Sequence, residues 1–155
     1  MRELAALDRP PRILLVEDNP DDAKLTQLAF QHAQVEVEFH VVDTGEKALD
    51  FLFQQGAYSA APRPDLVLLD LNLPGTDGRT VLRQAKDDPL LRRIPIIVLS
   101  TSEADVDLAL AYSLYANAYL TKPIGMDEWD EVVQSFGHFW MKSAKFPPPP
   151  TPRKP

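Results

Sequence analysis

The chain has 155 residues, enough for one domain with a substantial hydrophobic core. Its 16 basic and 23 acidic residues leave a net charge of −7, which argues against nucleic acid as the main partner. No apolar stretch reaches the roughly 18 residues of a membrane span, the start lacks the apolar core of an export signal, and the absence of cysteine excludes disulfides and thiolate zinc sites. These properties are those expected of a cytoplasmic protein.

The ends of the chain differ in composition from its centre. Residues 1–11 are predicted to form an arm that ends in two prolines, and residues 144–155 a proline-rich tail. The tail cannot continue a helix, is expected to be extended or disordered, and is too short and too poor in apolar residues to fold or to bind DNA. Residues 12–143 are therefore predicted to form the folded domain.

The first half of this domain predicts two strands, each followed by a helix. Residues 12–16 form an apolar run typical of a buried strand. Asn19, followed by a proline and two aspartates, predicts the N-cap of a helix that ends near residue 33. Residues 35–42 alternate as a second strand does, and a capping box that begins at Asp43 predicts the second helix.

The second half continues the alternation. Residues 65–70 are predicted to be the third strand, and residues 72–78 a loop rich in turn-forming residues. The remaining predicted elements are a helix over residues 80–87, a strand over 94–99, a helix over 103–115, a short strand over 118–120 and a helix over 126–142.

The order of these elements predicts the fold class. Five strands that alternate with five helices indicate an α/β fold with a doubly wound, five-stranded parallel sheet and helices on both faces. The first, third and fourth strands are almost continuously apolar, as expected when both faces of a sheet are covered. In such sheets, ligands bind beyond the carboxyl ends of the strands, where the strand order reverses.

Charged and hydroxyl side chains lie at the ends of four predicted strands. These are Glu17 and Asp18 after the first strand, Asp70 at the end of the third, Ser100 after the fourth and Lys122 after the fifth. Three carboxylates at one edge cannot all stay ionised without a counter-charge, and one lysine is too few, so a bound divalent cation is predicted. Oxygen ligands without His or Cys favour Mg²⁺.

Asp70 is the candidate nucleophile of this predicted site. With one oxygen on Mg²⁺ and the other free, its carboxylate can attack phosphorus and form an aspartyl phosphate. The metal and Lys122 would neutralise charge on the phosphoryl oxygens, and Ser100 could hydrogen-bond to them. Each residue alone has a simpler interpretation: Asp70 as a loop cap, Ser100 as a helix cap, Lys122 as a solvated side chain. Their joint placement at the strand ends favours the phosphoryl site.

Four segments resemble the receiver domain of bacterial two-component response regulators: LLVEDNPDD, VLLDLNLPGTDG, VLSTS and AYLTKPI. The resemblance covers residues 12–143, and the spacings of 30 residues from Asp70 to Ser100 and 22 from Ser100 to Lys122 are typical of that family. It implies the flavodoxin-like fold of chemotaxis-type regulators. It also implies a switch, not an enzyme, that a sensor histidine kinase phosphorylates.

The resemblance assigns the residues that bind metal and phosphoryl group. It makes Asp70 the phosphoacceptor, and Glu17 and Asp18 the acidic pair, with Asp18 the more direct ligand of Mg²⁺. It further implies that Asn72 binds Mg²⁺ through its backbone carbonyl and that Lys122 binds the phosphoryl group.

The resemblance also assigns the residues of a conformational switch. Ser100 would be the switch hydroxyl, in place of the commoner threonine, and Tyr119 the switch aromatic residue. The peptide bond between Lys122 and Pro123 is expected to be cis, which would turn the lysine inward.

Two longer segments narrow the resemblance to a subgroup. QQGAYSAAPRP lengthens the connection before the third strand, and FGHFWMKSAKFPPPP extends the last helix. With LNLPGTDG and YLTKPIGMDE, these segments resemble the stand-alone regulators paired with bacterial and cyanobacterial phytochromes. A bacteriophytochrome is therefore the kinase that the resemblance implies.

Aromatic side chains of the last helix predict a protein partner. Trp129, Phe136, Phe139 and Trp140 exceed what one sheet-facing stripe requires, although core packing is the default for half of them. The surplus predicts a homodimer through the fifth strand and fifth helix. Output is then expected through protein contact, without nucleic acid or membrane.

Three other functions fit parts of the pattern. A phosphorelay intermediate, or a phosphate sink without its own effector, would use the same residues and differ only in its partners. A haloacid-dehalogenase-like phosphohydrolase would need a second aspartate where this chain has Asn72. A flavodoxin-like cofactor binder would need a Ser, Thr and Gly-rich loop where Glu17 and Asp18 would repel phosphate.

Overall fold

The computed structural model of the chain describes residues 9–148 and residue 150. Its strands are β1 (Arg12–Val16), β2 (Glu38–Val42), β3 (Leu66–Leu69), β4 (Ile96–Ser100) and β5 (Ala118–Thr121). Its α-helices are α1 (Pro20–His32), α2 (Gly45–Phe53), α3 (Gly78–Asp87), α4 (Asp105–Ser113) and α5 (Met126–Gly137). Most of the predicted arm and the end of the predicted tail lie outside the described residues.

The five strands form one parallel sheet in the order β2-β1-β3-β4-β5, which confirms the predicted fold class. β1 pairs with β2 on one side and with β3 on the other, so the strand order reverses between β1 and β3. The carboxyl ends of these two strands therefore meet where parallel sheets bind ligands. Within the described residues, no helix is both long and apolar enough to cross a bilayer.

Strand side chains alternate between the two faces of the sheet and build two cores. Leu14 and Val67 point to the face covered by α2 and α3, whereas Ile13 and Leu66 point to the face covered by α1 and α5. All four side chains are fully buried. Burying one such side chain contributes about 1.5–3 kcal/mol, so the doubly covered sheet is the main source of stability.

The helix starts confirm one predicted cap and correct another. The side chain of Asn19 accepts hydrogen bonds from the amides of both aspartates in the first turn of α1, as expected of an N-cap. The prediction that Asp43 caps α2 is wrong. Thr44 is the cap, because its extended backbone brings its hydroxyl to the amide of Lys47. Asp43 instead pairs with the ammonium group of Lys47.

The second strand is shorter than the alternating pattern predicts. β2 begins at Glu38, although the alternation begins at residue 35. Val35 and Val37 pack against the core between the sheet, α1 and α5 before the chain enters the sheet. The alternation over residues 35–42 therefore reflects side chains that pack on the core, but Val35 and Val37 lie in a connecting segment and not in the strand.

The last helix is also shorter than predicted. α5 ends at Gly137, and a π-helical turn follows over His138–Ser143. The ring of Trp140 then stacks on that of Phe146, with a centroid distance of 6.2 Å, so the chain folds back on itself. Apolar periodicity over 126–142 could not separate the two helical forms, because the π-helical turn continues the chain directly from α5.

A buried lysine forms hydrogen bonds with the segment that leads into β4. The Nζ atom of Lys86 donates to the carbonyls of Arg92 and Ile94, both at 3.0 Å, and to Oδ1 of Asn117 at 2.9 Å. The same oxygen of Asn117 accepts a hydrogen bond from the amide of Ile96 at 2.8 Å. Burial lowers the pKa of Lys86 to about 8, while three acceptors match the three donors of the ammonium form.

Replacing Lys86 with Met is expected to lower the free energy of unfolding by about 2 kcal/mol, because the buried carbonyl of Ile94 loses its hydrogen bond and two partly buried acceptors each lose one. Urea unfolding of the variant and the wild type measures the difference. Lys24→Met removes the charge of an exposed lysine and should stay within about 0.5 kcal/mol of the wild type. Equal midpoints for Lys86→Met and the wild type would contradict this role.

Candidate functional site

The predicted acidic residues meet at the carboxyl edge of the sheet. Glu17 and Asp18 follow β1, Asp70 follows β3, and one carboxylate oxygen from each lies within 4.8 Å of the others. Glu17 and Asp70 are buried, whereas Asp18 is exposed. Converging oxygen donors of this kind suit a hard divalent cation. The three residues can therefore hold such an ion, with Asp18 on the solvent side.

One ammonium group lies among these carboxylates. Lys122 follows β5, and its Nζ atom is 2.6 Å from Oε1 of Glu17 and 3.0 Å from Oδ2 of Asp70. The backbone amide of Lys122 donates to the carbonyl of Ser100, which fixes this residue beside the end of β4. The structure thus brings together residues from the ends of four strands, as the sequence pattern predicts.

Burial and charge act in opposite directions in this cluster. Burial raises the pKa of Glu17 to about 7, although Lys122 opposes the increase. Burial by itself would lower the pKa of Lys122, but the hydrogen bonds and charges of Glu17 and Asp70 outweigh it, and the pKa is raised. Lys122 therefore stays protonated at neutral pH. The ammonium group of Lys122 contacts Glu17, Asp22 and Asp70 but not Asp18. The negative charge of Asp18 is therefore left for a cation to offset.

Two donors fix the carboxylate of Asp70. Its Oδ1 accepts a hydrogen bond from the amide of Asn72 at 2.9 Å, and its Oδ2 accepts one from Lys122 at 3.0 Å. The backbone amide of Asp70 donates to the carbonyl of Val16 at 3.1 Å. Since each carboxylate oxygen has two lone pairs, both keep the capacity to bind a cation or attack an electrophile. The carboxylate of Asp70 is therefore held in one orientation while both of its oxygens can still react.

The loop after Asp70 packs closely against the first residue of α3. A Cβ atom on Gly78 would lie 2.3 Å from the carbonyl oxygen of Asp70 and 2.6 Å from the Cα of Leu71. Only glycine allows this approach. The predicted loop ends at Gly78 and the predicted helix begins at residue 80, whereas α3 begins at Gly78, directly against the site.

Ser100 and Tyr119 are linked through one residue of the loop after β4. The Oγ atom of Ser100, which is buried, accepts a hydrogen bond from the amide of Ser102 at 3.2 Å. The hydroxyl of Tyr119 donates to the carbonyl of Ser102 at 2.9 Å. The hydroxyl hydrogen of Ser100 is thus available to another acceptor, and any movement of Ser102 affects both side chains.

The prediction of a cis bond between Lys122 and Pro123 is wrong, because the described residues contain no cis peptide bond. The ammonium group of Lys122 still reaches the carboxylates. The pairing of Thr121 with Ser100 across β5 and β4 already places the next residue beside the end of β4. The side chain of Asn72 is exposed, and the predicted metal contact of its backbone carbonyl stays a prediction.

Asp22 belongs to the site although the sequence analysis treated it only as a residue of a helix start. Its Oδ2 lies 3.1 Å from Nζ of Lys122. The available signal was its place in the first turn of α1, which begins directly beyond the end of β1. An acidic residue there faces the same edge of the sheet as the residues that end the strand.

A second polar network escaped the sequence analysis entirely. The Oγ atom of Ser102 donates to Oδ2 of Asp107 at 2.6 Å, and Nη2 of Arg79 donates to Oδ1 of Asp107 at 3.1 Å. The network connects the start of α3, the loop after β4 and the first turn of α4. No local pattern could predict it, because its members come from separate segments.

Known proteins resemble this chain in sequence and in fold. The chain matches the response regulator receiver domain over residues 13–134. It is 42% identical over 139 residues to response regulator Rcp1 of Synechocystis sp., covering 89% of this chain and 95% of that protein. The Mn²⁺-bound crystal structure of Rcp1 matches with a TM-score of 0.83 over 90% of this chain and 100% of that chain.

Solved structures of phytochrome-related regulators match equally well. The phosphorylated cyanobacterial phytochrome response regulator RcpA is 43% identical, with a TM-score of 0.84 over 90% of this chain and 99% of that chain. Response regulator RPA3017, from red light signaling of R. palustris, is 37% identical, with a TM-score of 0.84 over 89% and 99% of the two chains. The chain therefore belongs to the response regulator receiver family and is related to the phytochrome response regulators.

Proposed function

We propose that this receiver accepts a phosphoryl group on Asp70 from a sensor histidine kinase and passes the signal on by contact with another protein. The observation that carries the proposal is the Asp70 carboxylate. It is 6% exposed, fixed by two donors, and close to two further carboxylates. A purely structural carboxylate gains nothing from acidic neighbours, which raise its energy unless a cation joins them.

The chemistry follows from what each side chain can do. Asp70 attacks the phosphorus of phosphohistidine, so that an O–P bond forms while the N–P bond breaks and its electron pair returns to the imidazole. Glu17, Asp18, Asp70 and the carbonyl of Asn72 would hold Mg²⁺, which would supply positive charge against the phosphoryl oxygens. Lys122, already 3.0 Å from Asp70, binds a phosphoryl oxygen of the product.

The switch begins at Ser100. When its hydroxyl turns to donate to a phosphoryl oxygen, the bond that it accepts from the amide of Ser102 weakens. Ser102 also holds the hydroxyl of Tyr119 and the carboxylate of Asp107, so the tyrosine ring and the start of α4 are released together. Phosphorylation then biases a two-state surface around α4, β5 and α5.

A phytochrome-type kinase is the proposed phosphoryl donor. The support comes from relatives: RcpA is a phytochrome response regulator, and RPA3017 belongs to red light signaling. A phosphorelay intermediate would use the same site and pass the phosphoryl group to another protein. A phosphohydrolase is disfavoured, because the side-chain amide of Asn72 has no acidic proton to give to a leaving group.

Asp70→Asn is expected to abolish labelling by acetyl phosphate and Mg²⁺, since an amide oxygen does not form the acyl phosphate. Intact-mass spectrometry counts the phosphoryl groups. Asp87→Asn changes an exposed aspartate outside the site and should label like the wild type. Equal labelling of Asp70→Asn and wild type would refute the assignment.

Lys122→Met is expected to bind Mg²⁺ about tenfold more tightly than the wild type, because the site loses its internal counter-charge. Its labelling by acetyl phosphate should nevertheless be slower, because the ammonium group that binds the phosphoryl oxygens is gone. Calorimetric titration and labelling rates test the two effects separately. Lys142→Met, which removes an exposed charge, is the control; weaker Mg²⁺ binding in Lys122→Met alone would contradict the proposed charge balance.

We also propose that two copies pair through β5 and α5. β5 is an edge strand, and beside it lies a cleft of about 230 Å³ whose apolar lining includes Leu120, Val132 and Trp140. An unpaired edge next to an apolar cleft favours association with a second copy.

The aromatic side chains of α5 support this pairing less than the sequence suggested. Trp129 and Phe136 are buried in the core of their own chain, and Trp140 stacks on Phe146. Phe139 is 54% exposed and is the aromatic residue of this group that remains available on the surface. The proposed pairing therefore depends on the edge strand and the cleft beside it.

Val132→Arg is expected to shift the chain from dimer to monomer at high micromolar concentration, because a charge enters the apolar cleft. Sedimentation velocity, with and without a phosphoryl mimic, measures the state. Val106→Arg places the same charge on α4, where the side chain is 74% exposed, and should leave a β5–α5 dimer intact. A monomeric wild type under both conditions would remove the proposal.

A further inference from the structure

A second charged cleft lies at the opposite edge of the sheet, where β1, β3 and β4 begin. It has a volume of about 220 Å³. Its lining includes Arg9, Arg12, Arg63 and Arg93, together with Asp65 and Ile94. Four arginines thus line one cleft of a protein whose net charge is −7. Such a local excess of positive charge calls for an explanation.

Two of these arginines already have acidic partners. Nη1 of Arg9 lies 2.8 Å from Oδ2 of Asp65, and Nε of Arg12 lies 3.2 Å from Oε2 of Glu38. The backbone amide of Arg12 also donates to Asp65 at 2.7 Å. These pairs fix the wall of the cleft and neutralise about half of its positive charge.

The other two arginines are not neutralised in this way. Arg63 donates to the carbonyl of Leu90 at 2.7 Å, and neither it nor Arg93 forms an ion pair within the described residues. Burial lowers the pKa of Arg63, and the charge of Arg93 lowers it further, while Asp88 and Asp65 act in the other direction. Arg63 and Arg93 line the same cleft, so their like charges repel each other. Within the described residues, the four arginines face Asp65, Glu38 and Asp88, which leaves an excess of positive charge in the cleft.

We propose that this cleft binds a small phosphate-bearing anion between Arg63 and Arg93. The negative charge of such an anion compensates the excess positive charge, and the planar guanidinium fork suits the oxygens of a phosphate group. The volume is below the roughly 300 Å³ at which pockets for larger organic ligands begin, which favours an anion the size of phosphate or pyrophosphate. Because the cleft lies at the amino edge of the sheet, this site is separate from Asp70.

Calorimetric titration with pyrophosphate in EDTA tests the proposal. Without a divalent cation, the carboxylates around Asp70 repel anions, so the measured heat reports on the arginine cleft. Wild type is expected to bind one pyrophosphate, and Arg93→Gln and Arg63→Gln to bind it at least tenfold more weakly. Arg83→Gln, which removes an exposed arginine from α3, is the matched control and should bind like the wild type.

Two further measurements complete the test: the unfolding temperature of each protein, and the binding of malonate, which carries carboxylates instead of phosphate groups. Without phosphate, Arg93→Gln should unfold no earlier than the wild type, because it loses no ion pair within the described residues and relieves repulsion. Pyrophosphate should raise the unfolding temperature of the wild type and not of this variant. Malonate should bind at least tenfold more weakly than pyrophosphate. No pyrophosphate binding, equal loss in Arg83→Gln, or equal binding of malonate would each overturn the proposal.

Discussion

The structure at the carboxyl edge depends on one buried ammonium group surrounded by carboxylates. Glu17 and Asp70 are almost fully buried, and without a partner each would take up a proton or leave the interior. Lys122 serves both, and Asp22 as well, so the cluster is stable before any ligand arrives. Because one ammonium cannot balance all of these charges and that of Asp18, the cluster still favours a cation. The same imbalance therefore favours both the proposed metal site and the proposed reaction of Asp70.

The parallel sheet makes this cluster possible. Its charged members are spread over 105 residues of the chain, from Glu17 to Lys122, yet β1, β3 and β5 bring them to one edge because all strands run in the same direction. Gly78 lets α3 approach the loop after Asp70, which holds that loop from outside. The ends of the strands thus fix the side chains that take part in the proposed reaction. The loop that contains Ser102 connects Ser100 and Tyr119 to α4 by single hydrogen bonds, which are easily exchanged.

The sheet also separates two kinds of charge. Carboxylates gather at its carboxyl edge, where the positive helix ends of α1 and α3 begin and favour negative charge. Arginines gather at its amino edge, about 16 Å away for strands of about five residues. A cation site and the proposed anion site can therefore exist in one small domain without neutralising each other.

The order and type of the main helices and strands, the parallel sheet, and the acidic, hydroxyl and lysine residues at its carboxyl edge could all be predicted from the sequence. These follow from local signals: apolar runs, the Asn19 cap, and the polar residues that end each strand. Thr44 as the cap of α2, the trans bond before Pro123 and the π-helical turn after α5 depended on the tertiary structure, since local preference leaves several choices nearly equal in energy. The contacts of Asp22, Asp107 and Lys86 were decided there too, because each joins segments that are distant in the chain. A charged side chain needs a partner where it is buried, and it becomes buried only when the segments have packed together.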